Sequence, residues 1–373
     1  MRERVEERHR RILEIVRERE GLRVTELATA LGVSVETARR DVTALAAVGR
    51  VRRLHGSVSW PAAPLNARDA RLARHRAPSP PLSGLVLGML VPTADYFYRS
   101  IIRGARDAAT AAGARLLVGI TDYRQDRDAR QTRNLIKAGA AGLVLTPGWG
   151  VHGPAEEEAA AIAELRTPLV LVERRIPLGL AALGLDRVAS DHAGGATAAV
   201  HHLAGLGHER VAMMSRTTHT WPHIRRGYRA AVEALGLPDD DVSPRHSSRA
   251  GHFDDFETCA DRLLERVDSG EVRAAVVHTD SDAVNLLQRL LAHGVRVPEE
   301  FALVSYNDEI AGLADVPLTA VSPANHAVGE SAVTLLLRRI EDPGAQSSTV
   351  EWLPRLVVRR SCGAPAKDRT PQA

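Results

Sequence analysis

Residues 24–58 read VTELATALGVSVETARRDVTALAAVGRVRRLHGSV, and this stretch decides how the rest of the chain is interpreted. Thr25 is a candidate N-cap for a short helix ending at Leu31, and Gly32 supplies the backbone freedom that a tight turn needs. Ser34 is placed to cap a second helix. We therefore predict two short helices joined by a glycine turn.

The second helix, predicted to run to about Val48, has two distinct faces. Apolar residues recur on one inward stripe, which consists of Val35, Ala38, Val42 and Leu45. The polar residues at its start and on its outer face are candidate DNA contacts: Ser34, Glu36, Thr37, Arg39, Arg40 and Thr43. A helix pair whose second member presents Arg and Thr outward is the helix-turn-helix arrangement for the major groove of DNA.

The segment RVRRLHGSV, residues 50–58, follows at once and predicts a short two-stranded wing. Its basic side chains are candidate phosphate contacts: Arg50, Arg52, Arg53 and His55. An amphipathic helix over Val5–Arg19 precedes these elements and would pack against the helix pair. Residues 1–58 are thus predicted to form a winged helix-turn-helix domain. The alternative is a small helical bundle with a solvated Arg face.

Several segments of this region resemble the winged helix-turn-helix of the DeoR family of bacterial repressors: ILEIV at 12–16, VTELATALGVS, TARRDVTAL and GRVRRLHGS. The resemblance covers about the first sixty residues. It implies that double-stranded operator DNA is a partner. The charge distribution agrees, because Met1–Arg76 holds seventeen Arg, no Lys and ten Asp or Glu, a formal charge of +7 in a chain whose total is +3.

The cysteine content and the apolar runs exclude several classes of protein. Cys259 and Cys362 are too few for a disulfide framework and are not spaced as metal ligands, so no metal or cofactor is expected. No N-terminal signal-like segment and no run of about 18 apolar residues is present, which predicts a cytoplasmic protein without a membrane partner.

Residues 59–83 have the composition of a linker, with five Pro in a short stretch. Its Arg residues would form either a short basic helix on the DNA backbone or a solvated tether. From residue 84 onward, short apolar runs alternate with helical segments; the runs are LVLGMLVP, ARLLVGI, AGLVLTP, PLVLVE, RVAMMS, AAVVHTD and FALVSYN. This alternation predicts an α/β fold of two lobes with parallel sheets, which bind ligands outside the carboxyl ends of their strands.

The body resembles the effector domain of the LacI/GalR repressors, which has the fold of the periplasmic sugar-binding proteins. The resemblance rests on SDHAGGATAAVHHLAGLGHERVAMMS, RRGYRAAVEALGL, HGVRVPEEFALVSYND, PLTAVSP and LPRLVVRRS. It implies a periplasmic-binding-protein-like domain over 84–363 and a flexible tail over 364–373. Lobe 1 is expected at about 84–186 and 324–345, and lobe 2 at about 187–323 and 346–363. The chain would cross between the lobes three times.

The resemblance and the placing of aromatic residues at strand ends together suggest an effector site. Its candidate residues are Phe97, Tyr98, Asp122, Trp149, Glu173, Arg174, Trp221, Arg225, Thr279, Asp280 and Asn307. Flat apolar faces beside carboxylates and amides suit a sugar or a polyol. The neighbouring Arg residues leave a sugar acid or a sugar phosphate open.

No catalytic motif stands out in the body, so an enzyme is not expected. We predict a ligand-responsive DNA-binding regulator, a repressor of a carbohydrate-utilisation operon that acts as a homodimer or a tetramer. One alternative is a sugar-phosphate-sensing DeoR-type regulator with an enzyme-derived sensor. The other is a solute-binding protein without a regulatory role.

Overall fold

The computed structural model describes residues 5–18, 21–47, 51–54, 57–59, 84–150, 153–176, 184–244 and 253–365. The chain divides into two compact units, Met1–Ser79 and Pro80–Ala373. The predicted linker, except Ser59, and the predicted tail beyond residue 365 lie outside the described residues. Among the described helices, none is both long and apolar enough to span a membrane.

The first unit contains three helices and three short strands. They are α1 (Val5–Glu18), β1 (Gly21–Arg23), α2 (Val24–Leu31), α3 (Val35–Ala47), β2 (Arg52–Leu54) and β3 (Ser57–Ser59). The α2 helix ends at Leu31 as predicted, because Gly32 adopts a φ of 67°. The predicted Thr25 cap was wrong. Helix α2 begins at Val24, two residues before the start that a Thr25 cap predicts, and the N–H of its cap residue, Arg23, donates to the Glu26 carboxylate at 3.2 Å.

The α3 helix begins as predicted, since the Ser34 hydroxyl accepts a hydrogen bond from the Thr37 N–H at 3.1 Å. Its inward stripe is shorter than predicted. Val35, which opens the helix one turn ahead of the buried positions, is 37% exposed, whereas the other three stripe residues lie in the core. The buried Asp41 also faces α1, where it accepts from Arg8 Nε at 2.6 Å. This ion pair joins the two helices.

The wing has one more strand than the sequence predicted. Strands β2 and β3 pair antiparallel, and β1 pairs with the other side of β3, giving the order β1-β3-β2. Strand β1 is three residues long and directly precedes α2, so neither length nor periodicity marked it.

The second unit begins with β4 (Val86–Val91), and its elements follow in chain order. They are α4 (Phe97–Ala111), β5 (Arg115–Ile120), α5 (Gln125–Lys137), β6 (Ala140–Leu145), α6 (Glu156–Ala163), β7 (Leu169–Val172), β8 (Asp186–Ser190), α7 (His192–Gly205), β9 (Ala212–Ser215), α8 (Trp221–Leu235), β10 (Asp240–Asp241), α9 (Phe253–Asp268), β11 (Ala274–His278), α10 (Asp280–Ala292), β12 (Ala302–Tyr306), β13 (Thr319–Ser322), α11 (Asn325–Glu341), β14 (Thr349–Trp352) and β15 (Arg355–Val357). This regular alternation agrees with the predicted α/β fold.

These strands form two six-stranded sheets, one in each lobe. The lobe 1 sheet has the order β14-β8-β7-β6-β4-β5 and is parallel throughout. The lobe 2 sheet has the order β10-β9-β11-β12-β13-β15 and is parallel except for β15. Helices cover both sheets, as buried parallel strands require.

The chain crosses between the lobes three times, as predicted, at residues 190–192, 322–325 and 352–355. The predicted lobe limits were wrong at two strands. β8 was assigned largely to lobe 2 and β14 entirely so, but β8 pairs with β7 and β14 pairs with β8, both in the lobe 1 sheet. β14 is an edge strand without an apolar run, so its sequence carries little sign of which sheet it joins.

Helix α11 returns from lobe 2 and packs directly against α4 in lobe 1. The approach is so close that a Cβ at Gly104 would lie 2.0 Å from the His326 carbonyl oxygen. In the other helix, a Cβ at Gly329 would lie 1.9 Å from the Ile101 carbonyl oxygen. Two glycines therefore allow backbone-to-backbone packing of these helices.

Candidate functional site

The outer face of α3 is free of packing contacts that would bury it. The exposed residues of the predicted DNA-contact set are Ser34, Glu36, Arg39, Arg40 and Thr43, and Thr37 is half-buried. The opposite face is anchored in the core by Ala38, Val42 and Leu45. The polar face is thus rigidly held and accessible, as a helix entering the major groove must be.

The wing residues of that set are less fully described. Arg52 and Arg53 lie in β2, and the described contacts do not extend to their side chains. Arg50 and His55 lie outside the described residues. Their predicted phosphate contacts remain predictions.

The loops after the strands of lobe 1 contact the corresponding loops of lobe 2. His219, which follows β9, donates a hydrogen bond through Nε2 to the carbonyl oxygen of Trp149, which follows β6. The His219 ring also stacks on Tyr123, with centroids 6.1 Å apart and an interplanar angle of 19°. The carboxyl ends of the two sheets therefore face one another across a cleft.

Glu173 lies at the first crossing between the lobes. Its Oε1 accepts hydrogen bonds from the Ser190 N–H at 3.0 Å and from the Ser190 hydroxyl at 2.8 Å. Its Oε2 lies 3.2 Å from His192 Nε2, and His192 Nδ1 lies 3.2 Å from the Tyr306 hydroxyl in lobe 2. Burial alone would raise the pKa of Glu173, but His192 and Ser190 together hold this pKa below its ordinary value. Both carboxylate oxygens are thus engaged within the protein.

Arg174 follows in the chain and is 5% exposed. Its Nε donates to the Pro147 carbonyl at 2.6 Å, and its Nη1 donates to the Glu173 carbonyl at 2.9 Å. Its Nη2 is buried without a hydrogen-bond partner. Burial raises the pKa of the nearby Tyr98, and the Arg174 charge opposes that rise. The Tyr98 ring packs edge-on against Phe97, with centroids 5.3 Å apart.

Other buried polar atoms in these loops also lack a partner among the residues that the structure describes. They include Tyr96 Oη, Thr146 Oγ1, Arg175 Nη2, Thr217 Oγ1 and Trp221 Nε1. Buried polar groups are nearly always hydrogen-bonded, so such a group of atoms around one cleft needs an explanation. A polar ligand held between the lobes would supply the missing partners.

Three histidines on the lobe 2 side of the cleft are neutral at pH 7. Burial lowers the pKa of His219 to about 4, that of His223 to about 4 and that of His278 to about 3. His278 is also fixed from both sides, because its Nδ1 lies 3.0 Å from the Ser215 hydroxyl and its Nε2 3.2 Å from the Thr220 hydroxyl. Their rings therefore present uncharged hydrogen-bonding surfaces.

Several predicted effector residues are engaged elsewhere in lobe 2. Arg225 pairs with Asp241 at 2.6 Å, and its guanidinium lies 5.0 Å from the Trp221 ring centroid. Asp280 accepts the backbone N–H groups of Glu309 and Ile310, each at 2.7 Å, so it stabilises a loop. The remaining predicted residue at this strand end, Thr279, is the N-cap of α10.

The other predicted residues differ in how they meet the cleft. Asn307 is 6% exposed and adopts a φ of 107° directly after β12. Asp122 is exposed and forms an ion pair with Arg127. The Trp149 side chain packs into the core of lobe 1, and its carbonyl oxygen makes the contact with lobe 2.

Sequence reasoning missed part of the set that the structure brings together. Thr146, His192, Thr217 and His219 were not among the predicted effector residues, although each lies within a few residues of a strand end. Closeness to a strand end was the only sequence signal that could have identified them. Because their residue types are common in ordinary loops, this signal did not separate them from other loop residues.

The two units define a class of protein: a DNA-binding transcriptional regulator with a two-lobed sensor. Sequence profiles agree with this division. The DeoR-like helix-turn-helix domain matches residues 8–62, and the periplasmic binding protein-like domain matches residues 200–362. The chain is a fusion of these two kinds of domain, which confirms both resemblances seen in the sequence.

Curated relatives and solved structures match most of this chain. The arabinose metabolism transcriptional repressor of Geobacillus stearothermophilus is 23% identical over 90% of this chain and 89% of its own length. The ribose operon repressor of Escherichia coli K12 is 26% identical over 74% of this chain and 81% of its own length. A LacI family regulator from Enterococcus faecium, solved with bound ribose, shares the fold, with 19% identity and a TM-score of 0.59 over 76% of this chain and 100% of that chain.

Proposed function

We propose that the protein is a repressor of a carbohydrate-utilisation operon whose affinity for DNA is changed by a small sugar-like effector. The effector binds between the lobes, at the unpartnered polar atoms of the strand-end loops. Repression and the carbohydrate class come from the curated relatives, which are repressors of arabinose metabolism and of a ribose operon. The relatives are regulators and not enzymes, and we assign no catalytic role.

The observation that carries this proposal is the pairing of two features on one chain. One is the exposed polar face of α3, and the other is the cleft with its unpartnered buried polar atoms. A solute-binding protein would have no use for the first. Helix-turn-helix proteins commonly bind two half-sites as dimers, so we propose a homodimer acting in the cytoplasm.

Arg40 is the residue through which we test DNA recognition. If it contacts base edges, Arg40→Ala should weaken binding to an operator selected from a random pool by about 1–3 kcal/mol. Binding to a scrambled duplex should change much less. Fluorescence anisotropy at several salt concentrations measures both.

Arg10→Ala is the matched control. Like Arg40, Arg10 is an exposed Arg of the first unit, but it lies on α1, where it pairs with Glu7. It should leave operator preference unchanged. Equal losses on both duplexes for Arg40→Ala would remove Arg40 from base recognition. An operator affinity that no sugar, sugar acid or sugar phosphate alters would contradict the proposed response.

A further inference from the structure

Arg174 carries a positive charge for which the described residues provide no negative partner. The two carbonyl oxygens that accept its Nε and Nη1 hydrogens are neutral, and its Nη2 has no acceptor. It forms no ion pair with any carboxylate whose side chain the structure describes. A buried charge without a counter-charge is unfavourable, so this guanidinium needs one.

Two carboxylates close to Arg174, those of Glu173 and Asp128, do not supply this counter-charge. Glu173 uses both oxygens on Ser190 and His192, as described above. Asp128 Oδ2 accepts the Gly148 N–H at 2.6 Å, while burial raises the pKa of this carboxyl group. The Asp128 charge is felt at Arg174 but lies beyond ion-pair distance.

The next arginine in the chain adds to the excess of positive charge. Arg175 Nη1 lies 3.0 Å from Glu351 Oε1, and Arg187 Nη2 lies 3.5 Å from the same oxygen. One carboxylate therefore serves two guanidinium groups, and Arg175 Nη2 is left without a partner.

The lobe 2 side of the cleft is charged in a different way. There Arg216 binds Asp282 through two hydrogen bonds of 2.8 and 2.7 Å, so this charge is neutralised. Burial is the main cause of the lowered pKa of His219 and of His223. Arg174 lowers the first further, and Arg175 lowers the second further. The lobe 1 side thus projects a positive potential across the cleft.

Resting on the function proposed above, we propose that the effector is an anion and that Arg174 binds its charged group. The ligand class is a small polyhydroxylated molecule with a carboxylate or a phosphate, either of which accepts hydrogen bonds from guanidinium. The hydroxyls of Thr146 and Thr217 and the Trp221 N–H bind its uncharged part. A neutral sugar would satisfy these groups but would leave the Arg174 charge uncompensated.

Matched sets of probes separate charge from shape. We would titrate the full chain by calorimetry with ribose, ribonate and ribose 5-phosphate, and with arabinose, arabinonate and arabinose 5-phosphate. Acetate and inorganic phosphate serve as anions without sugar hydroxyls. In at least one set an anionic member should bind at least tenfold more tightly than its neutral parent, and the better anion identifies the charged group.

Two substitutions with opposite effects test Arg174 itself. Arg174→Gln should weaken the best anion by about tenfold to a hundredfold, the range expected for a lost charge-assisted hydrogen bond. Its affinity for the neutral parent should stay within threefold of wild type. Asp128→Asn should strengthen the anion, because it removes the negative charge that faces Arg174. Arg229→Gln, at an exposed Arg of lobe 2 paired with Asp239, is the control and should change neither affinity.

The outcomes distinguish this inference from the proposed function. A neutral sugar that binds at least as tightly as its anions, and alters operator affinity, would overturn the inference and leave the function intact. An unchanged anion affinity in a folded Arg174→Gln protein would also overturn it. Acetate or phosphate binding through Arg174, with no affinity for any sugar, would support the anion site and contradict the carbohydrate function. No binding by any probe would contradict both.

Discussion

The two lobes have the same build but treat the charged residues at their strand ends differently. In lobe 2, Asp280 is held by backbone N–H groups, and Asp282 and Asp241 are each paired with an Arg. In lobe 1, Arg174 has no carboxylate partner within the described structure. Lobe 2 therefore balances these charged strand-end residues with its own groups, whereas lobe 1 leaves the charge of one guanidinium for a ligand. A shared fold does not imply a shared role in binding.

The strongest test of this contrast is Asp280→Ala. Asp280 is fully buried and accepts two backbone hydrogen bonds, so its loss should lower the free energy of unfolding by about 4 kcal/mol. Urea denaturation without ligand measures the change. Asp126→Ala, at an exposed lobe 1 carboxylate that pairs with Arg124, should stay close to wild type. Similar losses for the two variants would remove the distinction between the lobes.

A second test compares two arginines that lie on opposite sides of the cleft. Arg216→Gln should destabilise the unliganded protein by about 3 kcal/mol, because it leaves the buried Asp282 carboxylate unpaired. Arg174→Gln removes a buried charge that has no counter-charge, so its cost should be about 1 kcal/mol or less. Urea midpoints of both variants give the comparison. A larger loss for Arg174→Gln would mean that lobe 1 uses this charge for its own stability.

The smallest expected effect is a pH dependence that originates in lobe 2. The pKa of His278 is about 3 in the folded protein, against an ordinary value near 6.5, because the ring is buried. The unfolded chain binds a proton there below pH 6.5 and the folded chain does not, so stability falls as the pH falls from 6.5 towards 3. His278→Asn should reduce the loss of stability between pH 7 and pH 5 by about 2 kcal/mol. Denaturation curves at both pH values measure the free energy of unfolding. Equal losses for the variant and the wild type between pH 7 and pH 5 would contradict this prediction.

The sequence predicted most of the fold because its local signals are strong. Ser34 and Gly32 fix the two ends of the turn in the helix-turn-helix, and capping and left-handed backbone are properties of single residues. In the second unit, each apolar run contains a strand, so the alternation of strands and helices could be predicted directly from the sequence. The three crossings followed from the family resemblance.

The parts that sequence did not predict depend on partners far away in the chain. Strand β14 belongs to lobe 1 because it pairs with β8, more than a hundred residues earlier. Asp280 was predicted to contact the ligand, but its carboxylate accepts hydrogen bonds from the backbone N–H groups of residues 309 and 310. Arg225 has Asp241 beside it only after α8 and β10 have come together. Arg174 differs from these residues, because its proposed role follows from the absence of a carboxylate partner among the described residues.

The packing of α11 on α4 bears on how the protein is made. Synthesis proceeds from the N-terminus, so the ribosome delivers β4 to β8 and most of lobe 2 before α11 emerges. Until then Ile101 and Ala105, both fully buried in the finished fold, lie on a helix face that has no partner. A chain that stops before residue 325 keeps that apolar face exposed and is a target for proteases and for aggregation. Lobe 1, the lobe with the unpaired arginine, is therefore complete only after α11 and β14, which follow most of lobe 2 in the chain, have been translated.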